Sequence, residues 1–110
     1  MRSKVIHVIF GVFLMGTVMA YGQTIRSDKI KVYGNCGMCE KRIEAAAQSL
    51  EGVNSADWNK ETKMLSVRFE SGKTDLDKIQ KAIAKVGHDT DNYKADDQVY
   101  NALPGCCKYR

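Results

Sequence analysis

The chain has 110 residues, of which 17 are Lys or Arg and 13 are Asp or Glu, giving a formal net charge of +4. That length holds one domain, and the charges alternate in sign along it without a basic cluster interleaved with aromatic residues. We therefore exclude nucleic acid as a partner. The sequence also offers no paired carboxylates, no Ser/His/Asp set and no phosphate-cradling loop, so we expect a protein that is not an enzyme.

Residues 1–22 have the pattern of a secretory signal peptide. Arg2 and Lys4 form a basic start, an apolar run follows over residues 5–20, and small residues come after it. We place cleavage after Ala20 or Gly22. The alternative, a retained membrane anchor, needs an apolar run of about 20 residues, which is longer than this one. We thus predict an exported protein, periplasmic if the source is Gram-negative, without stable membrane insertion after cleavage.

The chain that follows begins with a predicted strand and a predicted helix. Residues 23–27 form a polar lead-in, and residues 29–33 alternate polar and apolar side chains as a half-buried strand does. Gly34 and Asn35 interrupt this alternation. From Glu40 onward, apolar residues recur at the spacing of one helix face: Ile43, Ala46, Ala47 and Leu50. Gly52 is placed to end that helix.

A hairpin is predicted next. Residues 53–58 and 64–69 both read as strands, and the second alternates clearly between apolar and polar side chains. The polar residues 59–62 are the loop between them. Trp58 and Phe69 are expected in the core.

A second helix and a weaker strand complete the pattern. Thr74 or Asp75 can cap the helix, whose apolar residues again share one face: Leu76, Ile79, Ala82, Ile83 and Val86. Gly87 ends it. Residues 90–95 are the weaker final strand.

The element order β-α-β-β-α-β predicts an α+β fold of the ferredoxin-like kind. Such a sandwich has a four-stranded antiparallel sheet with two helices on one face. We assign this domain to residues 23–95. Residues 96–110 are a polar C-terminal tail with helical character around 98–103, and the tail carries Cys106 and Cys107.

Cys36 and Cys39 lie between the first strand and the first helix, and two intervening residues let both sulfurs converge on one point. Cys39 is expected near the first turn of the helix, where the helix dipole and unpaired N–H groups stabilise a thiolate. Thiolates select soft or borderline ions. Two ligands suit Cu(I) or Hg(II) better than Zn(II), which prefers four. We predict Cu(I) first, with Hg(II) or Zn(II) as alternatives.

Two other uses of this cysteine spacing stay open. A thiol–disulfide oxidoreductase places a dithiol at the same helix position, but enzymes of that kind have a Trp before the first cysteine and a proline facing the site. Here Asn35 precedes Cys36, and the single proline is Pro104. A structural disulfide between Cys36 and Cys39 would close so small a ring that it would constrain the unfolded chain little.

The residues of this region resemble the heavy-metal-associated domain. The stretches that carry the resemblance are Gly34-Asn35-Cys36-Gly37-Met38-Cys39-Glu40-Lys41-Arg42-Ile43-Glu44, Leu50-Glu51-Gly52-Val53, Ala56, Ala82-Ile83 and Val86-Gly87-His88. That family includes copper chaperones, the periplasmic mercuric-ion binding protein and the N-terminal modules of metal-pumping ATPases. The resemblance covers residues 27–95. It implies the ferredoxin-like fold, one metal ion held by Cys36 and Cys39, and hand-over by ligand exchange to a metal-transporting membrane protein or another metal-receiving protein.

The chain departs from the family pattern at three places. The family usually has Met-Thr before the first cysteine, where this chain has Gly34 and Asn35. Met38 between the two cysteines is also unusual for the family. We expect it to replace the packing of the missing Met, with a place near the metal as the alternative. After the second helix the family often has Lys or Tyr, where this chain has His88. His88 is a candidate third ligand, a group that tunes the thiolates, or a surface residue.

Cys106 and Cys107 lie beyond the resemblance. Adjacent cysteines can form a strained disulfide, pair with other cysteines or extend a metal site. Joining them to Cys36 and Cys39 requires the tail to fold back over the loop, which the sequence neither shows nor excludes. We carry two hypotheses: the tail cysteines guard or deliver the metal, or the tail is disordered with an incidental disulfide.

Overall fold

Residues 24–110 are described by the computed structural model, and the predicted signal peptide lies outside this part of the chain. The elements, in chain order, are β1 (Ile25–Lys31), α1 (Gly37–Gln48), β2 (Val53–Asn59), β3 (Met64–Glu70), α2 (Leu76–Lys85), α3 (Asp97–Asn101) and a 3-10 turn (Gly105–Cys107). No helix formed by residues 24–110 has both the length and the apolar character that crossing a membrane requires.

The sheet is antiparallel, with β3 in the centre between β1 and β2. As the alternation predicted, Leu65, Val67 and Phe69 of β3 turn inward and are at most 1% exposed. Trp58 of β2 is also buried, which confirms that Trp58 and Phe69 are core aromatics. A period-2 pattern of this kind gives the sheet one buried face, and the helices cover it.

The prediction of a fourth strand over residues 90–95 is wrong, because the sheet formed by residues 24–110 has three strands. Thr90 makes a single antiparallel bridge with Val32, and the chain then turns away. Hydrogen bonds within residues 89–95 take the place of strand-to-strand hydrogen bonds. The Thr90 N–H donates to the Tyr93 carbonyl at 2.8 Å, and the Asp89 carboxylate accepts from the Ala95 N–H at 2.7 Å. The Thr90 hydroxyl also accepts from the Tyr93 N–H at 3.1 Å, so Asp and Thr side chains compete here with strand pairing.

The polar lead-in predicted for residues 23–27 is also corrected. β1 begins at Ile25, which pairs with Glu70, so that β1 runs along the whole of β3. Backbone pairing needs no apolar side chain, which is why the exposed start of this strand gave no period-2 signal.

The helices follow their predicted faces. α1 buries Ile43, Ala46 and Ala47 against the sheet. At the start of α2, the Asp75 carboxylate accepts from the Lys78 N–H at 2.8 Å, so Asp75 is the cap. Gly87 follows α2 with φ +109, the left-handed conformation in which glycine ends helices.

The tail folds onto the domain. Its predicted helical character is confirmed by α3, and Tyr100 and Leu103 are each at most 8% exposed within the core. Leu103 lies against Gly87, where an added Cβ would come within 2.9 Å of Leu103 Cδ2. This contact brings the end of the chain back towards the loop before α1.

Candidate metal centre

Cys36 and Cys39, called the loop pair below, lie at the start of α1. Cys36 is the N-cap residue, and its carbonyl accepts the first helical bond from the Glu40 N–H at 3.0 Å. One helical turn later, Cys39 is fully buried and accepts from the Asn35 N–H at 3.3 Å. The two sulfurs are 3.5 Å apart. The short link and the helical turn therefore bring both sulfurs to one point.

Cys106 and Cys107, called the tail pair below, lie at the same point. Cys107 is fully buried, and its sulfur is 3.7 Å from that of Cys36. The sulfurs of Cys106 and Cys107 are 4.0 Å apart, and the sulfurs of Cys36, Cys106 and Cys107 all lie within 4.8 Å of one another. All four cysteines are free thiols. The fold-back of the tail, which the sequence left open, thus takes place.

Side chains next to the loop hold the tail in position. The Asn35 amide donates to the Lys108 carbonyl at 2.7 Å, and the Arg42 guanidinium donates to the Cys107 sulfur at 3.4 Å. Tyr109 donates its hydroxyl to the Gly87 carbonyl at 2.6 Å and accepts from the Asp89 N–H at 2.8 Å. The tail is therefore held at Cys107 and at the two residues that follow it. Sequence analysis missed these contacts because each joins residues that are far apart in the sequence.

Arg110, the last residue of the sequence, is held by ion pairs and hydrogen bonds. Its guanidinium donates to the carboxylates of Asp89 and Asp97, both at 2.9 Å, and to the Ala95 carbonyl at 2.8 Å. It also lies 4.2 Å from the centre of the Tyr100 ring. Although burial opposes ionisation of Asp89, the bonds from Arg110 and from the Ala95 N–H prevail and lower the pKa of that carboxyl.

The thiols of the loop pair are shifted in opposite directions. The backbone N–H groups of the first turn of α1, that of Cys39 foremost, lower the pKa of Cys36 to about 6. Burial raises the pKa of Cys39 to about 11, and the neighbouring Cys107 thiol adds to that shift. Without metal at neutral pH, Cys36 is therefore the thiolate of the pair and Cys39 the thiol.

This difference predicts selective alkylation of the reduced, metal-free protein. Because a thiolate is the nucleophile, the iodoacetamide rate at Cys36 should rise through about pH 6 and then level off, while Cys39 stays unmodified to well above neutral pH. Peptide mass spectrometry across a pH series measures both rates. In unfolded protein the Cys36 rate should rise only near the ordinary thiol pKa, about 8.5. Faster labelling of exposed Cys106 than of Cys36 at pH 7 would contradict the assignment.

Residues 35–89, half of the chain, match the heavy-metal-associated domain. The chain belongs to the heavy-metal-associated domain family. The resemblance seen in the residues around Cys36 and Cys39 is thereby confirmed.

The matches to individual relatives cover different shares of those proteins. The copper chaperone CopZ of Staphylococcus aureus (strain JH9) is 34% identical over 55 residues, which are 50% of this chain and 81% of that protein. A copper-exporting P-type ATPase of the same strain is 32% identical over 72 residues, which are 64% of this chain but 9% of the ATPase. The crystal structure of oxidized MerP from Ralstonia metallidurans CH34 is 29% identical, with a TM-score of 0.58 over 61% of this chain and 94% of that one.

Two of the departures from the family pattern now have a structural account. A side chain at the position of Gly34 would be crowded, because an added Cβ would lie 3.1 Å from Cys39 Cβ and 3.2 Å from the Trp58 ring. The expectation that Met38 packs in the core is wrong. Met38 is 52% exposed on the outer side of the loop, with its sulfur 3.6 Å from that of Cys106. The Trp58 ring therefore occupies the space beside Gly34.

His88, the third departure, is fully buried rather than on the surface. Its Nδ1 lies 2.8 Å from the Tyr33 carbonyl, and its ring stacks on Tyr109 with the ring centres 5.6 Å apart. Burial lowers the pKa of His88, so the ring is neutral and Nδ1 donates to that carbonyl. The group of potential ligands within residues 24–110 that contains Cys36 does not include His88. The structure thus places His88 beneath the tail.

The match to the family ends before the tail. It stops at residue 89, whereas the tail pair lies at 106 and 107. The tail pair and its fastening through Tyr109 and Arg110 are therefore outside the part of the chain that the family accounts for.

Proposed function

We propose that this protein is an exported carrier of one soft metal ion, Cu(I) first, which it binds at Cys36 and Cys39 and passes on. Hg(II) and Zn(II) are the alternatives. The observation that carries the proposal is the convergence of the two sulfurs, 3.5 Å apart, at the start of α1. Thiolates at a helix N-terminus are suitable ligands for a soft cation, and the protein acts by binding rather than by catalysis.

The relatives support the choice of metal. The copper chaperone and the copper-exporting ATPase are both named for copper, and a domain of this kind is shared with each. Similarity to MerP, together with the family resemblance, supports Hg(II). Zn(II) follows from the chemistry of thiolate ligands alone.

Release is proposed to proceed by ligand exchange. Cys39 is fully buried, but Cys36 is partly exposed at the surface of the loop. An incoming thiolate can therefore reach an ion on the Cys36 side without unfolding the domain. The recipient would be a metal-transporting membrane protein or another metal-receiving protein. Export rests on the signal-peptide pattern of residues 1–22.

The test is an anaerobic titration of the reduced protein with Cu(I), Zn(II) and Hg(II), followed by native mass spectrometry. We expect one tightly held Cu(I) or Hg(II) per chain, and loss of that ion in the Cys36→Ser/Cys39→Ser variant. Ser49→Ala, at the C-terminal cap of the same helix and away from the sulfurs, is the matched control. If no metal is retained while a Cys36–Cys39 disulfide forms and exchanges readily, the protein is a thiol–disulfide oxidoreductase instead.

A further inference from the structure

We propose that the tail pair completes the metal site, so that Cys36, Cys106 and Cys107 hold one thiophilic ion through three sulfurs. This inference rests on the proposed carrier function and adds ligands to it. Cys36 belongs to both groups, because its sulfur is 3.5 Å from that of Cys39 and 3.7 Å from that of Cys107. The ion can therefore move between the loop pair and the three-sulfur group without leaving Cys36.

The sulfur separations fit three-coordinate binding. With metal–sulfur bonds of about 2.3 Å, a trigonal site places its sulfurs about 4.0 Å apart, whereas a linear site places them about 4.6 Å apart. The observed separations are 3.7 Å from Cys36 to Cys107 and 4.0 Å from Cys106 to Cys107. Both are close to the trigonal value, and the third separation, from Cys36 to Cys106, is at most 4.8 Å. One ion at the centre of the three sulfurs thus needs little movement of the chain.

The tail pair is held in place by contacts that do not involve the sulfurs. Asn35 binds the Lys108 carbonyl, Tyr109 binds Gly87 and Asp89, and Arg110 binds Asp89 and Asp97. Groups that are positioned before binding lose little conformational entropy when the ligand arrives. Because both tail cysteines are positioned before the ion arrives, these contacts increase the affinity of the tail pair for the ion.

Arg42 places a positive charge beside the three-sulfur group. Three thiolates around a monovalent ion leave a net negative charge, which is costly to bury without a compensating cation. The Arg42 guanidinium lies 3.4 Å from the sulfur of the fully buried Cys107. Arg42 thus stabilises the thiolate of the tail ligand that water reaches least.

The two members of the tail pair have different access to solvent. Cys107 is fully buried, whereas Cys106 is exposed and lies beside the exposed thioether of Met38. Exposed Cys106 is the ligand that an incoming ion meets first, and Cys107 retains the ion once it is bound. An ion therefore reaches the three-sulfur group from solvent through Cys106.

The test compares Cys106→Ser/Cys107→Ser with Cys36→Ser/Cys39→Ser and with Lys108→Ala, a tail variant that keeps all four sulfurs. Cu(I) affinity is measured by chelator competition, and X-ray absorption counts the sulfurs around the ion. We expect three sulfurs in the unchanged protein. The Cys106→Ser/Cys107→Ser variant should show two, with a dissociation constant higher by a factor on the order of 10–100, the range seen even for groups that only support a ligand.

Cys106→Ser separates ligand loss from misfolding. Because Cys106 is exposed, its substitution leaves the packing of Cys107 intact, and the sulfur count should still fall by one. An unchanged count and affinity in both Cys106→Ser and Cys106→Ser/Cys107→Ser would overturn the proposal and leave the carrier function standing, provided that Cys36→Ser/Cys39→Ser loses the metal. Retention of the metal by Cys36→Ser/Cys39→Ser at unchanged affinity would instead refute the carrier function itself.

Discussion

Cys36→Ser should weaken Cu(I) binding by more than about 100-fold, the largest loss that any single cysteine substitution in this protein is expected to cause. Groups that merely support a metal ligand contribute about 10–100-fold to affinity, so a ligand shared by two arrangements contributes more. The Cys36 sulfur is within 3.7 Å of those of both Cys39 and Cys107. Its removal leaves neither the loop pair nor the three-sulfur group complete.

Cys39→Ser is the matched comparison for this prediction. It removes the other member of the loop pair but leaves Cys36, Cys106 and Cys107 in place, so we expect a smaller loss, about ten-fold. Competition with a Cu(I) chelator gives both dissociation constants, and circular dichroism shows whether each variant is folded. Equal losses in the two variants would mean that the tail pair contributes nothing and that the ion lies on Cys36 and Cys39 alone.

Features of the fold that depend on local pattern could be predicted from the sequence. The alternation of β3 and the helical spacing of α1 and α2 reflect burial on one face, which each element's own residues encode. The prediction of a fourth strand was wrong because Asp89 and Thr90 form local hydrogen bonds that the periodicity of the sequence does not reveal. The early start of β1 was not predicted, because the first residues of this strand are ordered by pairing with β3 rather than by burial of their side chains.

The candidate site likewise has one part that the sequence predicted and one part that it did not. Cys36 and Cys39 are close in sequence, so the spacing alone predicted that their sulfurs meet. Cys36 and Cys107 are 71 residues apart, and their contact depends on Tyr109 and Arg110 reaching Asp89. Neither Tyr109 nor Arg110 lies in a periodic element, so the sequence carries no local signal for either contact.

The residues before Cys36 link the two parts of the site. Gly34 and Asn35 stand where the family usually has Met and Thr, and each has a contact that its replacement would change. A side chain at 34 would meet the Trp58 ring, whereas Asn35 donates its amide to the Lys108 carbonyl. We infer that the altered start of the loop and the added tail belong together, since Asn35 directly joins one to the other.

Trp58→Ala should lower the free energy of unfolding by about 3–5 kcal/mol, the usual cost of truncating a buried Trp. Trp58 is 2% exposed, its indole N–H donates to the Val32 carbonyl at 3.0 Å, and its ring lies against Gly34. Domains of this size have a total stability of about 5–15 kcal/mol, so the loss is a large share of it. Urea unfolding of the reduced, metal-free protein measures the change.

Two further variants show which property of Trp58 matters. Trp58→Phe keeps an aromatic ring but leaves the buried Val32 carbonyl without its donor, so we expect a loss of about 1–3 kcal/mol. Lys60→Ala, in the exposed turn between β2 and β3, should change stability by less than about 0.5 kcal/mol. If Trp58→Ala costs no more than Lys60→Ala, the ring is not part of the core. If instead Trp58→Phe costs as much as Trp58→Ala, the bond to Val32 outweighs the packing against Gly34, and the Trp58 ring stabilises the domain mainly through the Val32 carbonyl.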